Sequence, residues 1–362
     1  MKKILYDNQM FTFQRFGGVT RYFADLIYNL PRNEFAAELP MRYCENHYVV
    51  ETYGQEYEKF SYPRNYRIRR RLYALANDRM AKSAVKSGDY DIFHPTYYSP
   101  YFLKALRKRQ KPLVLTIHDM TFERYPQDVL IYDKTIPHKR LLISEADHII
   151  AVSENTKRDI IEKLGTDPSK ISVVYHGYRP VVDPAAQLFD RYILYVGERK
   201  GYKNFYPWLS AVRPLFNLDP NLKIVCTGNP FTPHETALFK KWSIADRILH
   251  ISANDAQMAS LYRHALCFVF PSQYEGFGIP ILEAFANGCP VCLSDASCFP
   301  EVAGDAALFF NPNDAQSMYD ALKELLVTPS LREELSNKGL LRSKEFSVER
   351  MVEQTCDVYR KL

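Results

Sequence analysis

The chain alternates short runs of apolar, β-branched and aromatic residues with segments of helical periodicity. In the first half the runs are "KILY", "DIFHP", "PLVLTIHD", "HIIAVS" and "ISVVYH". In the second they are "YILYVG", "LKIVCTG", "RILHIS", "LCFVF", "PVCLS" and "ALFF". Amphipathic segments sit between them, such as "GVTRYFADLIYNL", where Phe23, Leu26, Ile27 and Leu30 recur at helical spacing. Near-continuous apolar strands separated by helices predict parallel sheets covered on both faces, so each half is expected to be a doubly wound α/β unit.

The alternation breaks at "HGYRPVVDPAAQLFDR", His176 to Arg191, where Pro180 and Pro184 interrupt any periodic pattern. This divides the chain into an expected first domain, 1–179, and a second, 180–346. From about Leu322 strand signals are absent, and "LREELSNKGLLRSKEF" and "VERMVEQTCDVYRKL" predict consecutive helices. No fixed-period repeat or low-complexity tract is present. Two doubly wound sheets facing across a cleft would line it with the carboxyl ends of their strands, where open α/β folds bind ligands.

Composition agrees with two globular domains: 362 residues, 46% hydrophobic and 14% aromatic. The opening "MKKILYDNQM" has basic residues, but its apolar run breaks at Asp7, too early for a signal peptide. No run approaches the roughly 18 apolar residues of a membrane span, and the expectation is a cytoplasmic protein. The net charge of +5 is uneven. Residues 1–179 hold 29 Lys and Arg against 21 Asp and Glu, and residues 180–362 hold 18 against 21. The excess is densest at "RIRRRL", Arg67 to Leu72, and "LRKRQK", Leu106 to Lys111. Such clusters suit an anionic surface or acceptor, lipid phosphate as well as nucleic acid, and equally a solvated helix face.

The seven cysteines form no regular framework, which argues against a disulfide scaffold. Cys289 and Cys292 make a lone CxxC that follows Gly288 rather than opening a helix, and they are expected to be buried thiols. "DYD" at Asp89 to Asp91 has the spacing of a metal-bridging pair but leads into a strand at its amino end, the wrong end for a ligand. The histidines show no metal-ligand spacing, so no metal site is expected.

The candidate chemistry lies in two stretches of the second half. In "ILYVGERKGYKNFYPWL" a strand ends at Gly197, and Arg199, Lys200 and Lys203 follow in a loop that runs into a helix near Asn204. Basic side chains beside the free amides of a helix start make an anion site. In "PSQYEGFGIPILEA" a strand ends and Pro271 to Tyr274 turns the chain. Gly276 and Gly278 then let the backbone approach a ligand before a helix starts near Ile279. A diphosphate fits such a wall. Glu275 and Glu283 would repel phosphate, so they are expected to accept hydrogen bonds from hydroxyls at opposite ends of the bound molecule, a nucleotide carrying sugars. In the first half, His118 ends the strand of "LVLTIHD" at its carboxyl edge, and Asp119 is expected to be structural.

Together, "PSQYEGFGIPILEA" with "GCPVCLSDASCFPEVAGDAALFFNP", "YVGERKGYKN", "TIHD" and "GGVTRYFADL" resemble the motifs of the retaining glycosyltransferases of family 4. The likeness runs from the first strand to about residue 312 and is weakest across Arg42 to Lys86. It implies a GT-B fold of two Rossmann-like domains: an acceptor domain, a nucleotide-sugar domain, and a terminal helix, 347–362, crossing back to the first. It also implies retaining, metal-independent transfer of a hexose from a nucleotide diphosphate sugar, UDP- or GDP-linked, to a glycan or lipid-linked acceptor in surface polysaccharide synthesis. By the family's pattern Arg199 and Lys203 neutralise the departing diphosphate and Glu283 holds the ribose. Glu275 with the amides of Gly276, Phe277 and Gly278 positions the transferred sugar and phosphates. His118 would sit near the donor sugar, and Gly17 and Gly18 would approach the phosphates or the acceptor.

The basic first half then leads to the expectation of peripheral contact with the inner membrane face, and no nucleic acid partner is expected. A glycoside hydrolase fits less well, because its two acids must flank one bond. A dinucleotide oxidoreductase needs G-x-G-x-x-G, and Ile281 fills the third glycine position. A sugar epimerase on the same fold would share the nucleotide site but act without an acceptor, and a non-catalytic binding protein would show no turnover. Acceptor specificity is expected within Tyr43 to Arg79, and the base pocket around Ser252 to Asp255.

Overall fold

The computed structural model describes residues 1–57, 66–128, 133–181, 184–199 and 201–362, with the backbone alone for 66–70. Lys200 and the side chains of Arg67, Arg69 and Arg70 therefore lie outside the described residues, as does part of the segment expected to select the acceptor. The chain divides into two compact units, 1–177 with 348–362, and 178–347.

Unit 1 carries strands β1 (Lys2–Tyr6), β2 (Phe35–Glu38), β3 (Ile92–His94), β4 (Val114–Ile117), β5 (His148–Ala151) and β6 (Ile171–Val173). They pair in parallel in the orders β2-β1-β3 and β4-β5-β6, and a parallel bridge between Phe93 and Leu113 joins the two sets. The apolar runs predict five of these strands. They miss β2, an edge strand of sequence FAAE with only Phe35 fully buried. One large side chain and two alanines give too little apolar signal to distinguish a strand from a loop.

The helix Val348–Arg360 belongs to unit 1 because its apolar stripe has nowhere else to go. Met351, Val352, Cys356 and Tyr359 are buried in the same core as Tyr22, Phe23 and Leu26 of the helix Gly18–Asn29. Its far end is pinned by polar contacts: the Tyr359 hydroxyl lies 2.9 Å from that of Tyr6 and 2.6 Å from His94 Nδ1, and Arg360 grips Glu34 at 2.9 and 3.0 Å.

Unit 2 carries β7 (Tyr192–Tyr195), β8 (Lys223–Cys226), β9 (Ile248–His250), β10 (Cys267–Phe270), β11 (Val291–Ser294) and β12 (Ala307–Phe310). Every pair is parallel, in the order β12-β11-β10-β7-β8-β9. All residues of β7, β10 and β11 are buried, which explains why these strands show as apolar runs rather than alternations. Counted within the unit the order is third-second-first-fourth-fifth-sixth, the doubly wound arrangement in which the winding reverses between the first and fourth strands. That reversal places the loops after β7 and β10 side by side.

Candidate functional site

At the carboxyl end of β7 the chain turns through Gly197, whose φ of 118° is open to glycine alone. The backbone of the loop after β8 presses against it: a Cβ on Gly228 would lie 2.7 Å from the Gly197 carbonyl oxygen. Arg199 follows and turns inward, with 6% of its surface exposed. Its Nε lies 2.6 Å from Glu235 Oε1, and Nη2 donates to the carbonyls of Asn229 at 2.7 Å and Pro230 at 3.2 Å. Nη1 is buried and, among the described residues, has no hydrogen-bond partner. Glu235 also closes a capping box with Thr232 at the start of the helix Pro233–Lys241. Burial works against its charge, but the Arg199 guanidinium and the Thr232 hydrogen bonds prevail and hold the carboxyl down at about 2. The charge of Arg199 is thus largely answered within the protein, with one N–H edge left over.

Lys203 ends the 3-10 turn Gly201–Lys203, and its ammonium lies 2.6 Å from Glu275 Oε1, with both side chains mostly buried. The two loops are also tied through their backbones, since the Gln273 amide donates to the Tyr202 carbonyl at 2.8 Å. Asn204, with φ at 58°, anchors the end of the first loop by donating to the Pro312 carbonyl at 2.8 Å.

The wall after β10 is strapped from behind. Ser297 Oγ donates to the Glu275 carbonyl at 2.6 Å and accepts from the Glu275 amide at 3.2 Å, and Cys298 Sγ donates to the Phe277 carbonyl at 3.1 Å. Gly276 and Phe277 are buried, with Phe277 edge-on to Phe346. Gly278 has φ at 94° and caps the helix Ile279–Ala286 without any side-chain cap. A Cβ there would meet Ile281 Cδ1 at 3.0 Å and Phe299 Cε1 at 3.2 Å. Pro280 lacks an N–H and the Ile281 amide turns back to the Gly278 carbonyl, so Gly278 and Ile279 supply the open amides of this helix end. Glu283, in the second turn and half-buried, accepts from the Tyr262 hydroxyl at 2.9 Å.

In unit 1, His118 directly follows β4. Both its ring nitrogens are buried and, among the described residues, have no hydrogen-bond partner. The ring stacks on His176 at 5.5 Å and meets Tyr22 edge-on at 5.2 Å. Burial, with smaller contributions from His94 and Lys139, pushes it down to about 3, so the imidazole is neutral at physiological pH. The turn after it is held by Lys139, which is buried and donates at 3.0 Å to both the Asp119 carbonyl and Glu123. Gly17 precedes the helix Gly18–Asn29, whose first turn has no side-chain cap; a Cβ on Gly17 would fall 2.2 Å from Gln14 Oε1.

The structure therefore brings Lys203, Glu275 and the Gly276 to Gly278 turn together, and places Glu283 one turn further along the same helix. It turns most of Arg199 toward Glu235. Asp89 pairs with Lys3 at 2.7 Å, and all seven cysteines are buried and free. Among the described residues no cluster of three His, Cys, Asp or Glu is placed to hold a metal. Glu235, Ser297, Cys298, Tyr262 and His176 escape the sequence reading. The capping box T-P-H-E at 232–235 is a local signal that could have found Glu235. The others are joined only by the fold.

Comparison with known proteins finds two family profiles that between them span most of the chain: Glycosyltransferase Family 4 over residues 16–180 and Glycosyl transferases group 1 over residues 184–342. The chain belongs to glycosyltransferase family 4. This family 4 enzyme is 29% identical to the O-antigen chain mannosyltransferase B of Escherichia coli over 314 residues, 80% of this chain and 79% of that one. Among solved structures, the sucrose-phosphate synthase of Thermosynechococcus elongatus superposes with a TM-score of 0.76 at 18% identity, covering 100% of this chain and 99% of that one. Anabaena HepE in complex with UDP and glucose superposes with a TM-score of 0.75 at 16% identity, covering both chains completely. The fold is GT-B, with two Rossmann-like domains built on parallel sheets.

Proposed function

We propose that this family 4 enzyme moves a hexose from a nucleoside diphosphate sugar to a glycan or lipid-linked acceptor in surface polysaccharide synthesis, on the cytoplasmic side, with retention at the anomeric carbon and without a metal. The O-antigen mannosyltransferase relative makes mannose the first sugar to try. The observation that carries the reading is the junction at the reversal of strand order. There the cation of Lys203, the carboxylate of Glu275 and the open helix end at Gly278 and Ile279 converge.

As the bond from the anomeric carbon to the diphosphate breaks, negative charge builds on the leaving oxygen. A fixed ammonium and two backbone amides can receive that charge without reorganising. Lys203 is the principal cation, because Arg199 is already answered by Glu235 and offers only Nη1. Glu275, once released from Lys203, and Glu283, oriented by Tyr262, accept hydrogen bonds from hydroxyls of the sugar and the ribose. In unit 1, His118 serves as a neutral hydrogen-bonding group for a substrate hydroxyl, and the helix end at Gly17 and Gly18 meets phosphate or acceptor.

The test is incubation with UDP- and GDP-linked hexoses, with and without a lipid-linked glycan acceptor and with a chelator throughout. Transfer that requires acceptor, survives the chelator and keeps the donor's anomeric configuration supports the reading. Epimerised donor without acceptor, or an inverted product, overturns it.

A further inference from the structure

Among the described residues, four other than glycine take a left-handed φ: Gln110, Asn204, Ser243 and Ser297. Gln110 and Ser243 follow the helices Leu103–Arg109 and Pro233–Lys241, where a left-handed residue is an ordinary stop. Asn204 tolerates the conformation through its short amide side chain. Ser297, with φ at 57°, lies between β11 and the helix Phe299–Ala303, where no helix ends. Serine bears a steric cost there that glycine would not. In return, the conformation brings its Oγ against the backbone of Glu275, donating to the carbonyl at 2.6 Å and accepting from the amide at 3.2 Å. Two fully buried neighbours extend the hold: Ser294 Oγ donates to the Ser272 carbonyl, and Cys298 Sγ to the Phe277 carbonyl at 3.1 Å. Cys298 Sγ also lies 3.3 Å from the Glu275 carbonyl, but a thiol is a weak donor and Ser297 is the residue that engages both backbone groups.

With its amide and carbonyl both engaged, the two peptide planes that flank Glu275 are fixed, and with them the direction of its Cα–Cβ bond. Among the described residues, Lys203 is the one partner of the Glu275 carboxylate, and a bound diphosphate would take that ammonium away. From then on the aim of the carboxylate depends on the backbone beneath it. We propose that Ser297 is a positioning residue for the transfer reaction: through the backbone of Glu275 it aims the carboxylate at a hydroxyl of the sugar being transferred. The inference rests on the reading of Glu275 as a sugar contact. It also accounts for a left-handed serine where no helix ends, since local strain persists where the surrounding structure holds it for a purpose.

The experiment separates the hydroxyl from the strain by two substitutions at one position in the full chain. Ser297→Ala removes the hydroxyl and keeps the left-handed cost, whereas Ser297→Gly removes both. Ser297→Ala should lower the urea midpoint of unit 2 by about 1 M, and Ser297→Gly should recover at least about half of that. The kcat for hexose transfer should nevertheless fall alike in both, by roughly tenfold to a hundredfold. Affinity for UDP or GDP, whichever the wild-type donor carries, should stay within about twofold by calorimetry, because Lys203 and the amides at Gly278 and Ile279 are untouched. In a Glu275→Ala background, Ser297→Gly should cost less than about threefold more. Ser243→Gly, the same change at the same φ on an exposed turn, should raise the midpoint and leave kcat as it is. If kcat follows stability, so that Ser297→Gly regains activity along with its midpoint, the proposal is overturned and the strap is structural only. A matching loss of diphosphate affinity, or a full further loss without Glu275, overturns it as well. Absence of transfer by the wild-type protein is a different failure: it removes the underlying reading, and this inference with it, before any variant is compared.

Discussion

Lys203 Nζ lies 2.6 Å from Glu275 Oε1, so the cation of the loop after β7 is held by the carboxylate of the loop after β10. A donor diphosphate must take that ammonium from Glu275, and the released carboxylate is then free for a sugar hydroxyl. Lys203→Ala is expected to lower kcat/KM by roughly a hundredfold to a thousandfold, the range for removing a fixed transition-state charge partner. Glu275→Gln should separate binding from turnover. It removes the carboxylate that competes for Lys203, so nucleoside diphosphate should bind roughly threefold to tenfold tighter by calorimetry while kcat falls. Equal weakening of diphosphate binding by both variants would show that the carboxylate is no competitor.

The Arg199 to Glu235 pair makes a separate prediction for stability. Both side chains are almost fully buried, so removing one partner strands the other's charge. Glu235→Gln is expected to destabilise unit 2 by about 3–5 kcal/mol, whereas replacing both partners with apolar residues should recover part of the loss. Trp208 and Trp242 both lie in unit 2, so tryptophan fluorescence in urea reports this unit selectively. The pH dependence has a definite sign. The folded carboxyl sits at about 2 against an ordinary 4.5, so the stability it contributes is complete above pH 4.5 and is lost as pH falls toward 2. A Glu235→Gln protein that keeps the same acid limb in this window would rule out the linkage.

Unit 1 should show the opposite kind of group and an earlier onset. Burial pushes His94 and His118 down to about 3, and His176 well below its ordinary value of 6.5. The unfolded chain therefore takes up protons below pH 6.5 that the folded unit refuses. Stability falls as pH drops from 6.5, by up to about 1.4 kcal/mol per pH unit for each histidine. Hydrogen exchange should find unit 1 opening before unit 2 as the solution is acidified from pH 7 to 5. His118 should show no imidazole titration by NMR over that range. A His118 resonance titrating near 6.5 would overturn its assignment as a neutral hydrogen-bonding group.

What the sequence made legible follows from where the signal is local. The strands of unit 2 stood out because both faces are buried, and Gly278 with Pro280 marked the helix start because a positive φ and a missing N–H each demand a particular residue. β2 did not stand out, because at the sheet edge Phe35 alone carries the apolar signal. The basic residues after Gly197 looked alike in sequence. Only the fold separates Lys203, which meets the second loop, from Arg199, which is drawn to a glutamate 36 positions away. The Ser297 and Cys298 straps on the Glu275 turn come from the loop after a neighbouring strand, a relation that local spacing cannot encode.

The helix that opens the second wall is supported from behind at one glycine, and that contact can be tested far from any substrate. The helix Pro329–Ser343 packs against Ile279–Ala286, and a Cβ on Gly339 would lie 2.6 Å from Cδ1 of Phe285, itself fully buried. Two effects oppose each other in Gly339→Ala. Alanine in a helix interior gains about 1 kcal/mol over glycine. Overpacking a buried ring costs about 1–3 kcal/mol. At 2.6 Å the ring must move and has no open side, so the loss should win, by about 1 kcal/mol, in tryptophan-monitored unfolding. Because Phe285 shares its helix with Glu283 and the amides at Gly278 and Ile279, nucleoside diphosphate affinity should fall in parallel, although Gly339 contributes no group to the site. Adding Phe285→Leu should restore both. Loss of stability with unchanged affinity would mean that the helix end is positioned by Ser297 and Cys298 alone.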